Sequence, residues 1–266
     1  MSHDTYDDSM SVLPASVRLC LWATAAYAGQ LPLEEVVDRA HPDLDQVIGA
    51  TDHLSLWRDL GERAVLVALP RPGHLTGMPR GPAELIAAAT GAGECVYVPG
   101  LGGALVPALE LFGPDDDQGT QVTWTAYDCD PVPAHALEGL SLGEIELGFR
   151  RDLAACTGAI EALDATPWAG SPLRSMADER SSCRWGLPDG LPRRATSIIT
   201  MAALVGVATE LGLSAPAQSQ VLTSAVAEQR RILLTDLDAL ADTAMAAAAT
   251  VAALSMAGLL PVRGGS

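Results

Sequence analysis

The chain contains no lysine and no asparagine, and all sixteen of its basic residues are arginine. Both missing residues have A-rich codons, so their joint absence marks a GC-rich genome. It also removes chemistry. A P-loop lysine, a Schiff-base lysine and a Cys-His-Asn catalytic set are each impossible here. Positive charge is scarce as well: 33 acidic residues against 16 basic ones leave a net charge of −17. Such a surface repels phosphate backbones and anionic bilayers, so no nucleic-acid partner is expected and a membrane partner is disfavoured. Cys20, Cys95, Cys129, Cys156 and Cys183 form no C-x-x-C pair and are odd in number, which reads as reduced thiols in a cytoplasmic protein. The opening MSHDTYDDSM lacks a basic region followed by an apolar one, and residues 1–12 are expected to be a disordered acidic tail.

What remains is 48% apolar, ample for a core. Pro14 opens a helix over ASVRLCLWATAAYAG that Gly29 stops. Shorter helices follow at LEEVVDRA and over DLDQVIGATDHLSLWRDLG. Strands are expected at 64–70, 94–99, 104–112 and 120–128, with a helix at AELIAAAT. In TQVTWTAYD the residues alternate, Val122, Trp124 and Ala126 on one face and Gln121, Thr123 and Thr125 on the other. From residue 141 the pattern turns helical. Leu142, Ile145, Phe149, Leu153, Cys156, Ile160 and Leu163 step by threes and fours. The helix beginning at Arg193 is apolar nearly all round and expected to be buried. The run after Pro216 would span roughly 67 Å as one helix, against a radius of gyration near 18 Å for a compact chain of this size. A break near TDLDALAD is therefore favoured over one projecting helix. Thr243 to Leu260 carries no charge, which reads as a buried alanine-rich helix in preference to a C-terminal anchor. The fold expected is α+β: residues 13–140 with N-terminal helices and a mainly antiparallel sheet of about four strands, then a helical region over 141–266, either as two regions or as one continuous domain.

Each motif has a simpler structural role to compete with. GLGG at 100–103 lacks a glycine of the dinucleotide fingerprint and precedes Pro107, so it reads as a hairpin turn rather than a phosphate loop. GLSLG at 139–143 matches a nucleophile elbow, but no histidine follows Ser141, and Ser141 with Glu144 has capping-box spacing. Cys129 and His135, with Asp128 or Glu138 to orient the imidazole, form the one candidate catalytic set. The histidines have no ligand spacing, and neither a metal nor a cofactor is expected. Between residues 174 and 194 five arginines face three acids, a local excess of positive charge. Arg184, Arg193 and Arg194, with Trp185 as an aromatic anchor, are the candidate site for an anionic ligand or acidic protein partner.

LPASVRLCLWATAAYAG, TQVTWTAYD and LGEIELGFRRDLAACTGAIEALD together resemble a family of uncharacterised proteins from high-GC bacteria, over residues 13–212. The resemblance implies no activity. The expected function is therefore a cytoplasmic, non-enzymatic binding or scaffold protein that self-associates through its apolar helices as a homodimer or other homo-oligomer. The alternative is a small-molecule hydrolase or transferase using Cys129 and His135.

Overall fold

The computed structural model describes residues 13–114, 118–163, 186–214 and 224–260. Helix α1, Ala15–Tyr27, starts after Pro14 and is followed by Gly29 at φ 79°. Ten of its thirteen residues are buried, so it serves as a central element rather than an amphipathic surface helix. The Cys20 thiol donates to the Val65 carbonyl at 3.0 Å. The Thr24 hydroxyl accepts from Val65 N–H at 3.0 Å and donates to the Val65 carbonyl at 3.2 Å. A 3-10 turn over Leu33–Glu35 and helix α2, Val36–Ala40, follow.

The sheet holds five strands: β1 Gln46–Ile48, β2 Leu66–Ala68, β3 Cys95–Val98, β4 Gly103–Phe112 and β5 Gly119–Asp128. Their order is β1-β5-β4-β3-β2. Four strands pair antiparallel as expected, but β1 pairs parallel with β5, Val47 opposite Val122, so the sheet is mixed. The sequence pattern places residues 46–48 in a helix. Three residues show no period of their own, and what makes them a strand is the open edge of β5. There Asp45 N–H donates to the Thr120 carbonyl at 2.9 Å, and the Asp45 carboxylate accepts from Thr120 N–H at 2.8 Å. The chain then turns through Gly49 at φ 84°, where an added Cβ would lie 2.4 Å from the Trp124 carbonyl oxygen. Helix α3 is consequently shorter than expected, Ala50–Asp59.

Pro107 sits opposite Trp124 on β4, yet β3 covers β4 only from Gly103 to Leu105. On the β3 side the proline has no strand partner to which an N–H would bond. GLGG is a turn, with Gly102 at φ 78°. The Leu101 N–H that a phosphate would need donates instead to the Glu62 carboxylate at 2.5 Å. Val122 and Trp124 are buried, whereas Ala126, expected on the same face, is exposed.

Helix α4 is Ala83–Ala92, and α5, Ala134–Glu138, links the sheet to α6, Leu142–Leu163. Phe149 and Ile160 on the expected stripe are buried. Helix α7 is Arg193–Ser214, and α8 runs unbroken over Ser224–Met256, 33 residues or about 50 Å. The expected break near 235–238 does not occur, because the capping side chains are otherwise engaged. Thr235 bonds back to the Arg231 carbonyl at 3.0 Å, and Asp238 accepts from the Thr209 hydroxyl at 3.0 Å. The half of α8 containing Ala244, Ala248 and Ala252 is buried against α1 and β2. There the Thr250 hydroxyl donates to the Val67 carbonyl at 3.3 Å, so the helix covers the outer edge of the sheet. Two helices, Arg193–Ser214 and Ala225–Met256, are long and apolar enough to cross a membrane. The most apolar stretch of the second is 72% buried inside the protein, as in a core helix, and that of the first only 39%. Helix α7 is thus less buried than its composition led us to expect. The larger of two hydrophobic clusters takes residues from both halves, from Leu19 and Leu66 to Ile198 and Leu254, and a smaller one gathers Ile160, Leu234 and Leu237.

Arg71 ties the sheet side to α8, its Nη2 2.9 Å from Asp238 and its Nε 2.6 Å from Asp242. Burial lifts the Asp242 carboxyl to about 6 even though Arg71 opposes the rise. Replacing Arg71 with Met should cost about 1–3 kcal/mol at pH 7, since a largely buried carboxylate loses its cation. The loss should shrink at pH 5, where Asp242 takes up a proton and no longer needs one. Urea denaturation at the two pH values checks both parts.

Candidate functional site

The chain leaves β5 at Asp128 and crosses the end of the sheet. Asp130 N–H donates to the Arg80 carbonyl at 2.6 Å, and Val132 N–H to the Pro99 carbonyl at 2.8 Å. The crossing needs a glycine beneath it. A Cβ on Gly102 would stand 2.1 Å from the Cys129 carbonyl oxygen. Because the prolines at 131 and 133 keep this segment extended, it stands off from α8 instead of folding onto it.

Between them opens a cavity of about 660 Å³, within the size range of small-molecule sites. The 76–80 loop, the 130–133 segment, α5 and α8 form its sides, with Val67 and Tyr97 from the sheet. Met78, Val132, Leu137, Leu140, Ala246 and Ala247 give it apolar walls, while Arg80, Asp130 and His135 supply the charged and ring-nitrogen groups. Arg80, Asp130 and His135 are all exposed. Tyr97, only 4% exposed, has no hydrogen-bond partner for its hydroxyl among the described residues, and burial raises its pKa.

His135 therefore lies on a cavity wall, but Cys129 is not among the lining residues. Cys129 is buried, and desolvation, reinforced by Asp130 and Asp128, pushes its thiol up to about 11. No hydrogen bond joins it to His135, and Asp128 and Glu138 point into solvent as exposed side chains. At neutral pH the sulfur is a protonated thiol in the core, the opposite of an activated nucleophile.

Of the arginine group, Arg184 and Trp185 lie outside the described residues. Arg194 is held by Glu146, Nε to Oε2 3.0 Å, and the same carboxylate takes Arg150 at 2.8 Å. Arg193 has no ion pair among the described residues and lines a shallow groove of about 640 Å³ along α7 with Thr196, Thr200, Met201, Leu204 and Ala208. The two arginines thus differ at the helix start: Arg194 joins α7 to α6, and Arg193 faces the groove.

A buried polar cluster lies outside every motif that the sequence suggested. Arg18, 4% exposed on α1, forms a two-pronged ion pair with Asp43, whose longer contact is 3.1 Å. His41, 2% exposed, stacks on Trp124 at 5.8 Å between ring centroids, and neither of its side-chain nitrogens has a hydrogen-bond partner among the described residues. Burial, with Arg18 adding to it, pushes the imidazole down to about 4. Nearby, the buried Glu94 carboxylate accepts from Ser16 N–H at 2.7 Å, and its pKa is raised by desolvation. The signal was a lone arginine in the middle of an apolar helix, a position that requires a buried partner. The sequence left the partner's identity open.

The architecture defines an α+β protein in which a mixed sheet and a helical layer share one core and enclose a cavity. Models of the Rv1486c-like protein match it twice, the N-terminal domain over residues 16–137 and the C-terminal domain over 143–246. The chain belongs to the Rv1486c-like family. No curated protein and no solved structure matches it.

His41 makes stability depend on pH. Its folded-state pKa lies below the ordinary 6.5, so the contribution is fully present above pH 6.5 and is lost as pH falls toward 4. At 1.36 kcal/mol per pKa unit the loss is about 3 kcal/mol. His41→Phe should flatten the stability profile between pH 6.5 and 4, as measured by denaturant titration across that range.

Proposed function

We propose that this protein is a non-enzymatic binding protein that holds a small, largely apolar molecule in the cavity between the end of the sheet and α8, and that it acts as a homo-oligomer in the cytoplasm. The observation that carries the reading is the cavity itself: apolar walls, a few polar groups from separate elements and, among the described residues, no activated nucleophile beside them. Cys20, Cys95, Cys129 and Cys156 are free thiols, consistent with a reducing compartment. Support for self-association comes from α7. Its groove is lined by Met201, Leu204, Val205 and Ala208, each only half-buried, and the helix has high mean hydropathy. A second copy of the same face would bury it by two-fold symmetry.

Octan-1-ol serves as a neutral probe of the cavity. Saturation-transfer NMR should detect its binding, and Ala247→Trp, which places an indole in the space, should abolish the signal without unfolding the protein. No binding by the unaltered chain would remove the reading. For the assembly, sedimentation velocity should show a dimer that Met201→Glu together with Leu204→Glu converts to monomer. A monomeric unaltered chain would refute self-association.

A further inference from the structure

Carboxylates outnumber arginines two to one in this chain, and ion pairing follows. Arg18, Arg39, Arg58, Arg71, Arg150, Arg151, Arg194 and Arg231 each hold a carboxylate. Arg63 donates to the Ala257 carbonyl at 2.5 Å, closing the end of α8. Arg80 is an exception. It makes no side-chain hydrogen bond or ion pair among the described residues, although Asp130 lines the same cavity. Only its carbonyl is used, by Asp130 N–H. An exposed guanidinium that no described residue holds, beside an apolar cavity, is an acceptor-seeking group, since its donors form a planar fork suited to a carboxylate. The buried Tyr97 phenol adds a donor without a partner among the described residues, and His135 a ring nitrogen.

We infer that the cavity selects an amphipathic organic acid: a carboxylate received by Arg80, and an aliphatic or aryl body lying against the walls formed by Leu137, Leu140, Ala246 and Ala247. This rests on the binding function proposed for the cavity and adds the charge of the ligand. Asp130 opposes the acid and sets a limit on its affinity, while excluding ligands that carry two or three negative charges.

Isothermal titration of the full chain at pH 7 with octanoate, octan-1-ol and octylammonium tests the inference. Octanoate should bind about tenfold more tightly than octan-1-ol, the worth of one charge-assisted contact. Arg80→Gln should erase that difference and leave octan-1-ol unchanged. Asp130→Asn should widen it severalfold, and Arg193→Gln, on the α7 groove, should do nothing. Arg80→Lys, which keeps the charge, should retain part of the preference. Octanoate binding no tighter than octan-1-ol, octylammonium binding best, or an octanoate affinity indifferent to both Arg80→Gln and Asp130→Asn would overturn the acid and leave the cavity reading standing. Binding of none of the three would overturn both. Should Arg80→Gln fail to fold, the Arg80 Nε–H resonance of the unaltered chain decides the same question: it should shift with octanoate and not with octan-1-ol, and no shift with octanoate would overturn the acid.

Discussion

The seating of the alanine-rich half of α8 on α1 and on the outer strand β2 is the contact on which the rest depends. Alanine gives that surface its closeness: with Ala244, Ala248 and Ala252 almost wholly buried, neighbouring backbone can approach without large side chains between. Three polar ties fix the helix along its axis, Thr250 to the Val67 carbonyl, Arg63 to the Ala257 carbonyl, and Arg71 to Asp238 and Asp242. Removing α8 would uncover an edge strand and one side of α1 together, leaving apolar surface and unpaired backbone in water. Residues of both halves thereby meet in the larger hydrophobic cluster.

The cavity is a consequence of the same seating. A helix 33 residues long extends past the short strand it covers, and the proline-bound 130–133 segment stands off from it. Neither surface can close the gap, since the prolines resist bending and alanines are too small to fill it. Space is left where polar groups from the 76–80 loop and α5 come within reach. A binding site so formed needs no dedicated motif, which is why its residues are scattered from Val67 to Thr250.

Charge follows a parallel logic. Among the described residues Arg18 inside the core, Arg71 between layers and Arg194 between α6 and α7 hold elements together, whereas Arg39, Arg58, Arg150, Arg151 and Arg231 pair with a carboxylate one to four positions away. Glu62 and Glu94 work from the other side, filling backbone donors at the glycine turn and at the start of α1. Buried groups of this kind make folding sensitive to acid in both directions, because His41 loses its neutral form as pH falls whereas Asp242 is relieved of its charge.

Local pattern was enough to read α1 between Pro14 and Gly29, the stripe on α6, the alternation of Val122 and Trp124, and the turn at Gly102, because each is decided by residues a few positions apart. Composition alone removed lysine chemistry. Strand β1 was hidden because three residues become a strand only when another strand's edge is beside them. The unbroken α8 was hidden because Asp238 is equally suited to capping a helix and to binding Arg71, and only the fold brings Arg71 to it. The arginine-rich segment drew attention for its charge, yet charge along a sequence does not say which guanidinium finds a carboxylate: among the described residues Arg194 does and Arg193 does not. Arg80 and Tyr97 carried no signal at all. Their setting is a space between elements distant in sequence, and such a space belongs to the packing of the whole rather than to any stretch of chain.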